Sequence, residues 1–251
     1  MVRAVITGAA SGIGAATARR LAGADGARLM LVDRADEQLR RVAGELGAEA
    51  LTVDLTMPDA GEQVAAAAGE RLGGLDLLVS NAGVAISAPL SELSLEEWDL
   101  TYALNVRAAW LLAKAAYPLL REARGSLVVT ASIAAREPAA PVGAYASSKA
   151  AVVMLVRQLA YEWGPDGIRC NCVSPGTTHT GMTDGTYSDP ARRSERASHL
   201  PLRRIAEPDE VAAVIAFLAS PDASYVTGID LLVDGGLGTS LLPAIRGLSP
   251  P

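Results

Sequence analysis

Residues 7–22 read TGAASGIGAATARRLA. They follow a short β-rich run, RAVIT (3–7), and pass within a few residues into an Ala/Leu/Arg-rich stretch of helical period. Gly8, Gly12 and Gly14 fall in the turn, with Ser11 and Ile13 between them. Glycine lets the backbone turn sharply and approach a ligand closely, and the start of a helix presents unpaired N–H groups and the positive end of its dipole. A strand, a glycine turn and a helix in succession open a βαβ unit whose turn is suited to a pyrophosphate. The spacing G-x-x-x-G-x-G is looser than the dinucleotide fingerprint, so an ordinary βα turn is the competing reading until other residues speak.

The alternation continues along the chain. β-rich runs recur at RLMLVD (28–33), EALTVDL (49–55), LDLLVSNAG (75–83), GSLVVTAS (125–132), IRCNCVSPG (168–176) and IDLLVDGG (229–236), separated by helical stretches. The runs are apolar throughout rather than alternating, which implies strands buried on both faces. The pattern predicts an α/β fold: one domain over 1–251, doubly wound in the Rossmann manner, with a seven-stranded parallel sheet flanked by helices. The stretch from about 177 to 207 lacks a clear period and reads as an insertion before the last helix; LGTSLLPAIRGLSPP (237–251) reads as a surface tail or subunit contact.

Composition narrows the function. At 251 residues, half of them apolar, the chain can fill one large core. A net charge of −6 with dispersed acids offers no basic face for nucleic acid or an anionic membrane. Apolar runs are too short to span a bilayer, and the first residues lack the pattern of a signal peptide, so a cytoplasmic protein is expected. Cys170 and Cys172 alternate on one face of a predicted strand and read as small buried thiols rather than a disulfide or metal pair. No metal site is expected.

Further residues strengthen the dinucleotide reading. Asp33 ends the second predicted strand about 20 residues beyond the glycine turn, where a carboxylate can accept hydrogen bonds from an adenosine ribose and repel a 2′-phosphate. NAD is thereby favoured over NADP, with Arg34 and Arg3 as guanidinium groups that could still receive a phosphate. Asp54, followed by Leu55, ends the third run where a side chain can meet an adenine edge. Asn81, Ala82 and Gly83 end the fourth with backbone open enough for a flat ligand. All lie at C-terminal strand ends, where open α/β sheets bind ligands.

GAYASSKAA (143–151) opens another helical stretch, so Tyr145 and Lys149, at i and i+4, share a face about 6 Å apart along the axis. An ammonium near a phenol favours the phenolate, and a bound nicotinamide cation would push the same way, so the Tyr145 pKa is expected to fall toward working pH. Ser132 lies 13 residues before Tyr145, and Asn105 interrupts an apolar helix where its amide needs a partner.

TGAASGIG, NAG, the helical Asn, the Ser, Y-x-x-x-K and PG followed by a threonine together resemble the short-chain dehydrogenase/reductase family, from Val5 to about Gly236. The resemblance implies hydride transfer between nicotinamide and a secondary alcohol or ketone, acting on CH–OH groups. Tyr145 would be the general acid/base. Ser132 would bind the substrate oxygen, Lys149 the nicotinamide ribose, and Asn105 a water relaying protons. Pro175, Gly176, Thr178 and Thr180 would shape the nicotinamide pocket. A homotetramer, or a dimer, through helices near 97–120 and 144–163 is also implied.

The substrate would be small and cyclic or hydroxylated, held by residues such as Val84, Ala139, Val142, His179 and Tyr187 and covered by the 177–207 lid. That lid carries Arg192, Arg193, Arg196, Arg203, Arg204 and His199, either as a solvated face or as a clamp for a carboxylate or phosphate. The segments around residues 131–151 and 167–182 resemble the 2,3-dihydro-2,3-dihydroxybenzoate dehydrogenase branch of the family. That branch oxidises a dihydrodiol acid and has an Arg and a Met where this chain has Ala139 and Val142. A catalytically silent, nucleotide-sensing protein is the rival of another class; such a protein has no need of the intact set Asn105, Ser132, Tyr145 and Lys149.

Overall fold

Every β-rich run becomes a strand in the computed structural model, which describes residues 2–23 and 27–239, the side chains of Asp184 and Thr186 excepted. The strands are β1 (Arg3–Thr7), β2 (Arg28–Asp33), β3 (Glu49–Thr52), β4 (Leu77–Ser80), β5 (Ser126–Thr130), β6 (Arg169–Pro175) and β7 (Asp230–Val233). Among the described residues they form one parallel sheet of seven strands in the order β3-β2-β1-β4-β5-β6-β7. The helices are α1 (Gly12–Ala22), α2 (Asp36–Leu46), α3 (Ala60–Leu72), α4 (Leu95–Tyr102), α5 (Ala108–Ala123), α6 (Tyr145–Trp163), α7 (Asp184–Tyr187), α8 (Pro190–Ser198) and α9 (Pro208–Ala219).

The continuous apolar strands are explained by burial on both sides. Val5, Met30, Leu78, Leu127, Cys170 and Cys172 face α3, α5 and α6, while Ala4, Ile6, Leu31, Val79, Val128 and Val173 face α1, α2 and α9. Alternate residues of one strand thus feed two cores, which an open parallel sheet requires. Burying one such large side chain stabilises the fold by roughly 1.5–3 kcal/mol. The two cysteines are free and buried as expected, and their burial holds both thiols above the ordinary range, Cys170 at about 12.

Strand order fixes the site. From β1 the chain runs outward through β2 and β3, then returns to β4 on the other side of β1 and proceeds to β7. The loops after β1 and β4 therefore diverge and leave a crevice at their C-terminal ends. Arg3 lies at the opposite end of β1. There its Nε and Nη2 donate to the Asp76 carboxylate at 2.9 and 2.8 Å and Nη1 donates to the Gly73 carbonyl, so the expectation that Arg3 could reach a ribose phosphate is corrected. Ser94 and Glu97 form a capping box at the start of α4. The long apolar helix expected around Asn105 is broken by a π-helical turn, Ala103–Arg107, between α4 and α5.

The 177–207 insertion contains α7 and α8 over a small apolar cluster of Tyr187, Leu200 and Ile205. Arg193 pairs with Glu207 at 2.9 Å and Arg204 with Glu210 at 2.6 Å, strapping the insertion to the N-terminal end of α9. Within the C-terminal stretch read as a tail, Ser240 onward lies outside the described residues. None of the described helices is long and apolar enough to cross a membrane.

Candidate active site

A cleft of about 340 Å³ opens where β1 and β4 part. Its wall contains Gly8, Ser11, Gly12, Ile13, Asp33, Arg34, Asp54, Leu55, Asn81, Ala82, Gly83, Tyr145, Lys149, Pro175, Gly176, Thr178 and Thr180 from the expected cofactor set, together with Ser132 and Val84. Gly14 does not line the cleft but supports it. A Cβ there would stand 2.1 Å from the Gly8 carbonyl oxygen and 2.8 Å from Asn81 Nδ2, so only glycine lets α1 seat against the turn. Gly8 itself has φ of 67°, in the left-handed region that favours glycine.

Hydrogen bonds to backbone hold this end of the sheet. Asn81 Nδ2 donates to the Thr7 carbonyl at 3.1 Å and, more weakly, to that of Gly8 at 3.4 Å; its Oδ1 accepts from Thr130 Oγ1 at 3.0 Å. Thr7 Oγ1 accepts the N–H groups of Asn81 and Ala82 at 3.0 and 3.1 Å. One carboxamide and one hydroxyl thus tie the ends of β1, β4 and β5. Asp33 at the tip of β2 accepts the Ala10 and Ala35 N–H groups, each at 3.1 Å, which aims the carboxylate across the turn. Asp54 is held below the usual carboxylate range, chiefly by the Thr56 N–H and then by the Thr56 hydroxyl. Ser11, at the N-cap of α1, makes no capping bond, which leaves first-turn N–H groups for an anion. The glycine turn, these N–H groups and Asp33 fit a dinucleotide, whose pyrophosphate and ribose need that set of partners.

The second half of the site starts at α6. Tyr145 is its first residue, and Lys149, one turn later, is buried with Nζ 5.6 Å from the Tyr145 ring centroid and donating to the Thr130 carbonyl at 2.8 Å. Ser132 Oγ accepts the Ala134 N–H at 3.1 Å, and Ser132 and Tyr145 line the same cleft. Asn105, turned inward by the π-helical segment, finds its partner in the backbone: Oδ1 accepts from Val84 N at 2.8 Å, and Nδ2 donates to Val84 O at 2.9 Å and Ser148 Oγ at 3.0 Å. Ser148 in turn donates to the Tyr145 carbonyl at 2.7 Å, so Asn105 braces both the NAG loop and the first turn of α6. Asn105 Oδ1 and Lys149 Nζ both pack against Gly83.

The electrostatics correct one expectation. In the protein alone, burial raises the Tyr145 pKa above its ordinary value, and the neighbouring Ser132 hydroxyl offsets only part of that. Burial also lowers Lys149 to about 8. Lys149 does not by itself hold the phenol down, because desolvation disfavours charge on both groups.

The expected substrate residues fare differently. Val84 is in the cleft wall, whereas Ala139, Val142, His179 and Tyr187 are not, and Tyr187 packs in the apolar cluster beneath the insertion. Of the two readings of the lid, the structure favours the solvated face. Arg192 pairs with Asp189, Arg193 with Glu207 and Arg204 with Glu210, Arg203 donates to the Ser198 carbonyl, and none of these arginines lines the cleft. Sequence reasoning missed Leu100, Leu104, Thr130, Met182 and Thr183. Thr130 was within reach of the strand-end rule. Thr183, whose Oγ1 accepts the Thr180 N–H at 2.9 Å and donates to the Thr178 carbonyl at 2.7 Å, gives no signal beyond being one more threonine.

Comparison with known proteins agrees with this geometry. A family model described as enoyl-(acyl carrier protein) reductase matches residues 8–238. Dehydrogenase/reductase SDR family member 4 of Oryctolagus cuniculus is 38% identical over 245 residues, 95% of this chain and 94% of the relative. The meso-2,3-butanediol dehydrogenase of Serratia marcescens is 38% identical over 239 residues, 94% of each chain. A solved structure of a candidate NAD(P)-dependent gluconate 5-dehydrogenase from Beutenbergia cavernae, with NADP bound at low occupancy, superposes with a TM-score of 0.86 at 38% identity, covering 94% of this chain and 96% of the other. A cleft at the β1/β4 divergence whose residues fit a dinucleotide, a Tyr–Lys pair beside a serine, and relatives matching over nearly their whole length lead to one assignment: the chain belongs to the short-chain dehydrogenase/reductase family, oxidoreductases of CH–OH groups.

Proposed function

We propose that this enzyme transfers hydride between NAD and a small, uncharged secondary alcohol or ketone, with Tyr145 handling the proton. The observation that carries the reading is that Ser132, Tyr145 and Lys149 line one cleft, with Lys149 Nζ 5.6 Å from the Tyr145 ring centroid one helical turn on. Hydride exchange is the chemistry nicotinamide supplies when bound. The remaining work falls to the chain. In oxidation the Tyr145 oxygen takes the substrate hydroxyl proton; in reduction it returns one to the carbonyl oxygen. Ser132 Oγ already accepts the Ala134 N–H, which leaves its own proton to donate to the substrate oxygen. Lys149 would hold the nicotinamide ribose, and Asn105 would complete the relay to solvent. Because burial raises the phenol in the protein alone, the reading assigns the fall in its pKa to positive charge brought into the loaded site.

Support for NAD over NADP is the Asp33 carboxylate at the end of β2, fixed by two backbone N–H groups. Support for an uncharged substrate is the cleft wall itself. Its charged side chains are Asp33, Arg34, Asp54 and Lys149, while Val84, Leu100, Leu104 and Met182 are apolar. The diol handled by the butanediol relative fits this description better than a dihydrodiol acid does. Segment 177–207 serves as the substrate lid of a single 1–251 domain. Assembly as a homotetramer or dimer is supported by the apolar groove of Leu100, Tyr102, Val106, Trp110 and Leu155 across α4, the π-helical turn, α5 and α6.

The test follows reduced-cofactor absorbance with NAD or NADP and a panel of uncharged alcohols and diols. Tyr145→Phe is expected to lower kcat by about 10³ while circular dichroism stays unchanged; full turnover by that variant rules out the proton role.

A further inference from the structure

Asp230, the first residue of β7, lies outside the cleft, yet its side chain is fully covered and both carboxylate oxygens are used. Oδ2 accepts from Arg136 Nε at 2.9 Å, and Oδ1 accepts from Ser174 Oγ at 2.5 Å. Arg136 Nη2 also donates to the Asp230 backbone carbonyl at 2.6 Å, so the guanidinium grips the residue at two points. The two partners come from different walls of the active site. Arg136 follows the 3-10 turn Ile133–Ala135, which begins at Ser132. Ser174 directly precedes Pro175 and Gly176, which line the cleft from the other side.

A carboxylate removed from water needs paired donors, and one donor lost leaves a buried charge short of a partner. Arg136 cannot let go of Asp230 without exposing that charge, and Asp230 cannot shift without disturbing Ser174. The other end of the Ser132 turn is closed by the Ala134 and Ala135 N–H groups, which donate to Ser132 Oγ and the Ser132 carbonyl, and is tied to β6 by the Ala131 N–H on the Val173 carbonyl at 2.8 Å; the Arg136–Asp230 contact fixes its far end. We infer that Asp230 is a positioning residue for the reaction: through Arg136 and Ser174 it fixes the Ser132 turn relative to the Pro175–Gly176 wall, and so sets where the substrate oxygen sits against the nicotinamide pocket. The inference rests on the role proposed for Ser132.

The experiment compares Arg136→Met, Arg136→Lys and Ser174→Ala with the wild type. It measures kcat and KM on the fastest alcohol of the panel above, NADH binding by fluorescence, and hydrogen exchange of amides 133–137 and 176–178. Misplaced reacting groups lower turnover before binding. Arg136→Met is therefore expected to lower kcat about tenfold with the NADH Kd within about twofold, and Arg136→Lys to recover most of the loss. Exchange in Arg136→Met is expected to quicken at 176–178 as well as at 133–137. A variant that melts earlier yet keeps kcat and KM overturns the inference, as does faster exchange confined to 133–137. Ser174→Ala supplies the same readouts should Arg136→Met fail to fold, with faster exchange then expected at 133–137. If no alcohol is turned over, or Tyr145→Phe matches the wild type, the dehydrogenase reading fails instead, and the exchange measurement still decides whether Asp230 links the two walls.

Discussion

The wall of the cleft made by strand ends and the wall made by the 177–207 insertion are held together by different kinds of bond. At the strand ends, Thr7, Asn81, Asp33 and Lys149 each engage backbone groups, at distances of about 3 Å, and all are partly or fully buried. In the insertion the first residues are held by backbone bonds among Thr177, His179 and Ala206 and by Thr183 Oγ1, while α8 and the segment after it are tied to the start of α9 by the exposed pairs Arg193–Glu207 and Arg204–Glu210, with a three-residue apolar cluster beneath. Exposed ion pairs contribute little, typically 0–1 kcal/mol, and salt screens them. The strand-end wall is therefore fixed by topology, whereas the part of the insertion from α8 onward owes more of its placement to exposed side chains.

Substitutions can break or sharpen that contrast. The largest effect is expected at Gly14→Ala, where the new Cβ would meet the Gly8 carbonyl at 2.1 Å. Overpacking against fixed backbone is expected to destabilise by about 3 kcal/mol or more and to abolish NADH binding, read by urea titration and fluorescence. Next is Lys149→Met. Lys149 has a folded pKa near 8 against an ordinary 10.5, so between those values the unfolded chain holds a proton that the folded chain does not. Stability through this group rises with pH across that window, and below pH 8 the buried charge costs up to about 3 kcal/mol. The stability difference between wild type and Lys149→Met, each carrying Cys172→Ala because Lys149 and Cys172 are coupled, is thus expected to move in favour of the lysine-bearing protein from pH 8 to 10.5. A flat difference would mean that Lys149 is not desolvated.

At Asp33→Ala, lost ribose hydrogen bonds and relieved repulsion are expected to shift the NAD/NADP preference by tenfold to a hundredfold toward NADP, measured as the ratio of kcat/KM values. The smallest effect is expected in the lid. Arg192→Ala and Arg196→Ala should change kcat/KM for an uncharged alcohol by less than about twofold. A tenfold loss confined to a carboxylate-bearing substrate would restore the anion clamp and end the contrast between the two walls.

What was legible in the sequence follows the same division. The seven strands announced themselves because burial on both faces demands unbroken apolar runs; Gly8, Asp33 and Asn81 could be placed because strand ends have fixed positions in a doubly wound sheet, and Tyr145 because its spacing to Lys149 is one helical turn. Asn105 was recognised as needing a partner, but the π-helical turn that swings it onto Val84 depends on one extra residue in a helical turn, which periodicity does not register. Tyr187 read as a substrate contact, and the lid arginines read as either a solvated face or a clamp, because their chemistry suits both. Whether such a group faces a cleft, a small core or a neighbouring carboxylate is decided by loop packing over distances that local pattern does not encode.

Asn81 shows what the arrangement permits over generations of sequence change. Its single carboxamide spans carbonyls on the β1 side and a hydroxyl on β5, and therefore acts as a gauge for the width of the opening. A lineage that keeps this gauge can exchange Leu100, Met182 or the whole segment beyond Thr183 without resizing the nucleotide seat. New substrates can then be explored at the rim while the machinery for moving hydride is inherited intact.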